Sequence, residues 1–131
     1  MDKVIFACVH NAGRSQMAAA FFNKFADPSK ATAISAGTEP ASKVHPEVLE
    51  VMKEVGIDLS NAYPTLLTQE LASNVQLLVT MGCGEKCPYV PGLQIKDWLL
   101  EDPKGKSIEQ VRSTRDKIKL LIQDLIKDRK W

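Results

Sequence analysis

Two side chains near the start of the chain have the types and spacing for thiol chemistry on an anion. They bracket the segment Cys8-Val9-His10-Asn11-Ala12-Gly13-Arg14-Ser15, with five residues between the thiol and the guanidinium. A loop of that length can curve so that successive peptide N–H groups point inward. A helix starting near Arg14 would add its partial positive charge, and together these suit an anion with four oxygens. Gly13 permits the backbone conformations a tight nest needs. Arg14 can fork two N–H donors onto two oxygens. Cys8 lies at the bottom of the same positive field, which favours the nucleophilic thiolate. Ser15 can hydrogen-bond that thiolate or support the leaving step. A Cys-x5-Arg match alone is weak, because a buried strand-end thiol and a solvated helix-start arginine also produce it. Placement between a strand and a helix, with Gly13 and Ser15 present, favours the chemical reading.

Two more thiols stand in Met81-Gly82-Cys83-Gly84-Glu85-Lys86-Cys87-Pro88, beside turn residues and outside any apolar periodic segment. Cys8, Cys83 and Cys87 leave one thiol over after any single pairing, and structural disulfides are rare in reducing cytosol, so reactive thiols are expected. Lys86 would favour a neighbouring thiolate. A zinc site would need histidine, but His10 and His45 are the only two, and neither has ligand-pair spacing. Attack by Cys8 also requires an acid for the departing oxygen. Asp102 precedes Pro103, which fixes its own φ and biases Asp102 toward an extended conformation. By itself Asp-Pro is a common turn dipeptide. Asp97 and Glu101 are the nearest competitors.

The elements that must position these groups are legible in the apolar pattern. Residues 3–8 form a short run of strand formers ending in polar turn residues. Residues 14–25 carry Met17, Ala18, Phe21, Phe22 and Phe25 at helical spacing, all expected to face the core. Residues 31–36 are a second strand, closed by Gly37. Residues 45–55 are a helix opened by Pro46 and Glu47 and ended by Gly56. A short helix at 68–72, a third strand at 75–81 and a short fourth strand at 94–98 follow. Ser107 and Gln110 cap a last helix with Ile108, Val111, Ile118, Leu121 and Leu125 as its buried stripe. Trp98, Trp131 and the Lys127-Asp128-Arg129-Lys130 helix end carry no functional signal. Alternation of strands and helices predicts an α/β fold, a three-layer αβα sandwich on a four-stranded, mainly parallel sheet. Ligands in such sheets bind at the carboxyl ends of the strands, where the Cys8 and Cys83 loops both fall.

With 131 residues, no repeat and no linker, residues 1–131 are expected to form one domain. The 17 basic and 16 acidic side chains leave a net charge of +1, which excludes a broad electrostatic surface for nucleic acid. No apolar run approaches the roughly 18 residues that cross a bilayer, so no membrane partner is expected. The short run Val4-Ile5-Phe6-Ala7 is too brief for a signal-peptide core, and a cytoplasmic, monomeric protein is expected.

The stretch VIFACVHNAGRSQMA, residues 4–18, resembles arsenate reductases of the low-molecular-weight protein tyrosine phosphatase superfamily. The Cys-x5-Arg-Ser loop is common to that superfamily. Ser15-Gln16-Met17-Ala18 is similar to the reductase branch, because phosphatases usually have proline after the serine. Ser35-Ala36-Gly37, His45-Pro46, Glu54-Val55-Gly56-Ile57-Asp58-Leu59-Ser60 and Asp102-Pro103 extend the resemblance over nearly the whole chain. It implies that Cys8 attacks bound arsenate, held by Val9, His10, Asn11, Ala12, Gly13 and Arg14, while Asp102 supplies the proton. It further implies that Cys83 attacks Cys8 to release arsenite, and that Cys87 then moves the disulfide outward. Lys104-Gly105 stands where phosphatases tend to carry the aromatics that grip tyrosine. No cofactor is implied beyond an external reductant, thioredoxin or a small thiol such as mycothiol or glutathione. The close spacing of Cys83 and Cys87 is nearer to the actinobacterial branch than to thioredoxin-coupled reductases with more widely spaced cysteines. The resemblance also implies that Asn11 and Ser35 hold the loop in shape and in some members help bind potassium. Asp58 and Ser60 would join the same network, and His10 either tunes Cys8 or faces solvent. The rivals are a phosphatase using the same loop and Asp102, and a non-enzymatic carrier that holds its group on Cys8.

Overall fold

The computed structural model describes residues 1–81 and 92–131. Its elements run β1 (Asp2–Cys8), α1 (Arg14–Phe25), β2 (Ala31–Gly37), α2 (Pro46–Glu54), α3 (Gln69–Ser73), β3 (Leu77–Thr80), β4 (Gln94–Asp97) and α4 (Ile108–Arg129). The strands form one sheet in the order β2-β1-β3-β4, and all three pairings are parallel. β1 is therefore central, with β2 on one side and β3 on the other. The chain leaves β1 for one neighbour and later returns for the other, so the end of β1 is the switch point where a ligand crevice opens. Cys8 is the last residue of that strand.

Alternation along β1 divides the core in two. Val4, Phe6 and Cys8 pack with α1, α2 and α4. Ile5 and Ala7 face the opposite side, against Leu67, Ala72 and Val75. Both faces being buried explains why the strand is apolar at every position from Val4 to Cys8. The layers are unequal: three helices cover one face, while the five-residue α3 and its flanks cover the other. Aromatic packing ties the thick layer together, with Phe6 5.8 Å from Phe22 and 5.9 Å from Trp98 between ring centroids. Trp131 packs edge-on against Phe22 at 5.5 Å, and its indole N–H donates to Asp2 Oδ2.

Local signals account for the boundaries. Pro46 occupies the first turn of α2, and Gly56 just beyond it adopts φ +80°. Ser107 and Gln110 form a reciprocal capping box at the start of α4. On β2, the outermost strand, the Asn23 side chain donates to the Ala33 carbonyl at 2.8 Å and accepts from its N–H at 2.9 Å. One side-chain amide thus stands in for a neighbouring strand, which blunts an edge otherwise open to pairing.

Three expectations need correction. Phe25 is 37% exposed, stacked on Phe21 at the surface instead of entering the core. In α4 the buried stripe is Val111, Thr114, Ile118, Ile122 and Leu125, with Ile108 and Leu121 only half-buried. At 3.6 residues per turn Ile122 lies nearer the centre of that stripe than Leu121 does. The third strand is shorter than 75–81, although Met81 N–H still donates to the Ala7 carbonyl. The expected four-stranded sheet is present, and its three pairings among the described strands are all parallel.

Candidate active site

The loop after β1 is shaped by where its carbonyls go. The Cys8 carbonyl accepts from Thr38 N–H, Val9 from Glu39, His10 from Ala41, Ala12 from His45, and Gly13 from Met17. The Asn11 carbonyl accepts from the Gln16 side chain at 3.1 Å. Every carbonyl from residue 8 to residue 13 is therefore turned away and bonded, most of them to the β2–α2 connection. None of the described residues has a cis peptide bond, so each N–H in the loop points opposite to the carbonyl of its own peptide unit. The N–H groups of residues 9–14 thus line the concave side, and α1 begins at Arg14 directly behind them. The arrangement has the form of an anion nest with a helix N-terminus at its base.

Asn11 adopts a left-handed φ of +51°, which Asn tolerates better than most residues. In that conformation its Nδ2 donates to Ser15 Oγ at 2.6 Å, and Ser15 Oγ lies 2.9 Å from Cys8 Sγ. The amide of Asn11 can only donate to Ser15, so the serine's own hydrogen is free to point at sulfur. Cys8 is 2% exposed and Ser15 fully buried, so the contact is shielded from water.

Arg14 is 7% exposed, and its guanidinium reaches across to the segment between β4 and α4. Nη1 donates to the Leu100 carbonyl at 3.2 Å, and Nη2 lies 3.7 Å from Asp102 Oδ2. Of the three acidic candidates, Asp97 accepts from Thr80 Oγ1 at the strand end, and Glu101 pairs with Lys106. Only Asp102 faces the anion loop. Gly13 has a φ of −144°, so a left-handed backbone is not what requires glycine there. Space is one requirement: a Cβ on Gly13 would lie 2.6 Å from Pro103 Cγ. The proline after the acid seats directly on the nest, and this fixes the carboxylate over it.

Residues 3–130 match the low molecular weight phosphotyrosine protein phosphatase family. The chain belongs to that family. A glutaredoxin arsenate reductase of Synechocystis sp. is 37% identical, with 96% of this chain and 97% of the relative covered. A solved thioredoxin-dependent arsenate reductase of Corynebacterium glutamicum superposes with a TM-score of 0.83 at 40% identity. The match covers 98% of this chain and 61% of that structure, so this chain spans under two thirds of its length. An arginine phosphatase of Geobacillus stearothermophilus superposes with a TM-score of 0.88 at 26% identity, covering 99% and 94% of the two chains.

Within this family fold the remaining site residues fall as follows. His10 Nδ1 lies 3.1 Å from the Glu39 carbonyl, so its ring turns to the β2–α2 connection and not to Cys8. Ser35 sits inside β2, paired with Phe6. Asp58 accepts from Ser60 N–H in a surface turn, and that bond together with the Ser60 hydroxyl holds its carboxyl below the ordinary value. Neither joins the Asn11 network. The residues present do not suit the potassium that the resemblance implied. Asn11 Oδ1 already accepts from Thr65 N–H at 2.8 Å and from Gln16 at 3.3 Å, leaving no side-chain lone pair for a cation. Cys83, Lys86 and Cys87 lie outside the described residues. Sequence reasoning missed Gln16, Tyr63 and Thr65, which brace Asn11, and Thr38, Glu39, Ala41 and His45, which hold the loop carbonyls. The backbone donors leave no trace in residue type. Gln16 was visible only as part of the Ser15-Gln16-Met17-Ala18 run that is similar to the reductase branch.

Proposed function

We propose that the protein reduces arsenate to arsenite, and that residues 1–131 act as one domain in doing so. The observation that carries this reading is the grouping of Cys8, the inward N–H groups, Arg14 and Asp102 around one loop in a chain that also holds Cys83 and Cys87. The nest and Arg14 bind the oxyanion, and Ser15 stabilises the Cys8 thiolate. Cys8 Sγ attacks arsenic while Asp102 protonates the departing oxygen, so water leaves and an S–As bond forms. The Cys83 thiolate then attacks Cys8 Sγ. An S–S bond forms, the S–As bond breaks, and its electron pair stays on arsenic, reducing As(V) to As(III). Arsenite leaves, Cys87 displaces Cys8 from the mixed disulfide, and an external dithiol restores the three thiols.

The names of the relatives support coupling to an external thiol–disulfide system, glutaredoxin in one and thioredoxin in another. We assign thioredoxin as the donor, with a small thiol such as mycothiol or glutathione as the alternative. No helix among the described residues is long and apolar enough to cross a membrane. We place the reaction in the reducing cytoplasm, where the thiols stay available, and take the working unit as a monomer. The second reading is a phosphatase, favoured by the likeness to the arginine phosphatase. Hydrolysis needs Cys8 and Asp102 but has no use for Cys83 or Cys87. The deciding assay is arsenite release with thioredoxin and its reductase, and in parallel with glutathione or mycothiol plus a glutaredoxin-type partner. Dependence on all three cysteines establishes the relay, while dependence on Cys8 alone with a small thiol makes Cys83 and Cys87 bystanders. Ester cleavage without arsenite under either donor overturns the reductase reading.

A further inference from the structure

The polarity of the Asn11–Ser15–Cys8 chain depends on how the Asn11 amide is oriented. Turned over, that amide would present Oδ1 to Ser15 Oγ, and the serine hydrogen would be drawn to the amide and away from sulfur. Two donors prevent this by holding Oδ1 on the far side: Thr65 N–H at 2.8 Å and Gln16 Nε2 at 3.3 Å. The Gln16 amide is itself oriented, because its Nε2 lies within hydrogen-bond distance of three oxygens. These are Asn11 O at 3.1 Å, Asn11 Oδ1 at 3.3 Å and Tyr63 O at 3.2 Å. Turning Oε1 into that position would set one oxygen against three others. Asn11 is fully buried and Gln16 6% exposed, so water cannot replace these bonds at low cost. The same Gln16 amide also holds the Asn11 carbonyl, which helps keep that residue in its left-handed conformation.

We propose that Gln16 is a positioning residue whose side-chain amide, clamped by the carbonyls of Asn11 and Tyr63, sets the hydrogen-bond direction along Asn11 and Ser15 and so governs the reactivity of the Cys8 thiolate. It touches neither the anion nor sulfur. The segment carrying Tyr63 and Thr65 is in turn fixed to β2, since Gly37 N–H donates to the Thr65 carbonyl and Leu67 N–H to the Gly37 carbonyl. The polarity of the nucleophile is therefore referred back to the sheet edge by two routes, directly through Thr65 N–H and through the Gln16 amide held by the Tyr63 carbonyl.

The inference rests on Cys8 being the nucleophile but not on arsenate being the substrate, so it is tested on the thiol itself. Alkylation of Cys8 by iodoacetamide is followed in a background where Cys83 and Cys87 are serine. The quantity read is the rate at pH 7 relative to the plateau reached in alkali. Gln16→Met keeps the side-chain length but removes the donor, and Gln16→Glu replaces the donor with an acceptor facing three oxygens. The expected loss for Gln16→Met is about three- to tenfold at pH 7 with the alkaline plateau unchanged, the range of one neutral hydrogen bond. The loss should be larger for Gln16→Glu. In a Ser15→Ala background both substitutions should lose their effect, because the path from Gln16 to sulfur runs through that hydroxyl. A ratio within twofold of wild type in a folded Gln16→Met protein overturns the proposal. So does an equal loss in the presence and absence of Ser15, which marks general loosening of the loop. Persistence of the expected pattern without arsenite formation would sink the reductase reading and leave this one standing.

Discussion

Replacing Ser15 with alanine removes one oxygen and isolates a single contribution to the reactivity of Cys8. The hydroxyl lies 2.9 Å from sulfur, short for an O–H···S contact, and is held by Asn11 Nδ2 at 2.6 Å. Both Cys8 and Ser15 are shielded from solvent, so water cannot take the hydroxyl's place without entering a packed loop. Hydrogen bonds to charged groups contribute about 1.5–3 kcal/mol, whereas the neutral thiol gains little from the same donor. Alkylation of Cys8 at neutral pH should therefore slow roughly ten- to a hundredfold in Ser15→Ala. The assay is the pH dependence of Cys8 alkylation, with arsenite formation measured beside it at saturating reductant. Both rates should drop at pH 7 and converge with wild type in alkali, where the thiolate forms without help. A Ser15→Ala protein that alkylates within twofold of wild type across the pH range would refute the assignment of the hydroxyl as donor to sulfur.

Asp102→Asn keeps the bond to Lys104 N–H available but cannot deliver a proton. The chemical step should fall about 10²- to 10⁴-fold with little change in the concentration of arsenate that saturates, as single-turnover kinetics would show. Gly13→Ala places a methyl 2.6 Å from Pro103 Cγ, so the segment bearing Asp102 must move outward. Turnover should drop at least tenfold, as misplacement of a reacting group does, while Cys8 alkylation stays near wild type; a drop in both would place the damage in the nest instead. Glu54 is held below its ordinary value chiefly by its hydrogen bond to Arg112, with Arg115 adding to it. A carboxyl lowered by folding stabilises above its unfolded value, near 4.5, and loses that contribution as pH falls through the lower folded value. Glu54→Gln should therefore melt no more than a few degrees below wild type at pH 7, with the gap closing in acid; a constant gap would mean that packing, not charge, joins α2 to α4.

Periodicity and turn chemistry carried most of the fold into the sequence. The β1 run, the Pro46 start of α2 and the Ser107-Gln110 box are each local, and each falls where the structure has it. The errors came where tertiary context decides. Phe25 has helical spacing with Phe21 and Phe22, but at the last position of α1 it lies on the surface beneath Lys119. Leu121 and Ile122 are adjacent apolar residues, and only the docking angle of α4 selects between them. In the site, Cys8, Arg14, Ser15 and Asp102 were legible because their side-chain types announce chemistry. The surroundings of the Asn11 oxygen, which accepts from Thr65 N–H and lies 3.3 Å from Gln16 Nε2, were not legible in the sequence. The close approach of Pro103 to Gly13 was not legible, since that neighbour in space is 90 residues away in the chain.

A net charge of +1 gives the molecule no general attraction for oxyanions, so affinity must be made locally. In the proposed site peptide dipoles would supply it together with Arg14, and dipoles are useful only if they cannot turn. That rigidity comes from residues the anion never meets: Thr38, Glu39, Ala41 and His45 hold four of the loop's carbonyls outward through backbone bonds alone. Side-chain substitution at those positions should then be tolerated as long as the β2–α2 connection keeps its path, whereas inserting or deleting one residue there would shift every donor against its carbonyl. The nest would collapse although Cys8 and Arg14 were both present. The site is thus specified twice, by the identities of a few side chains in the loop and by the length of a segment whose side chains do no chemistry.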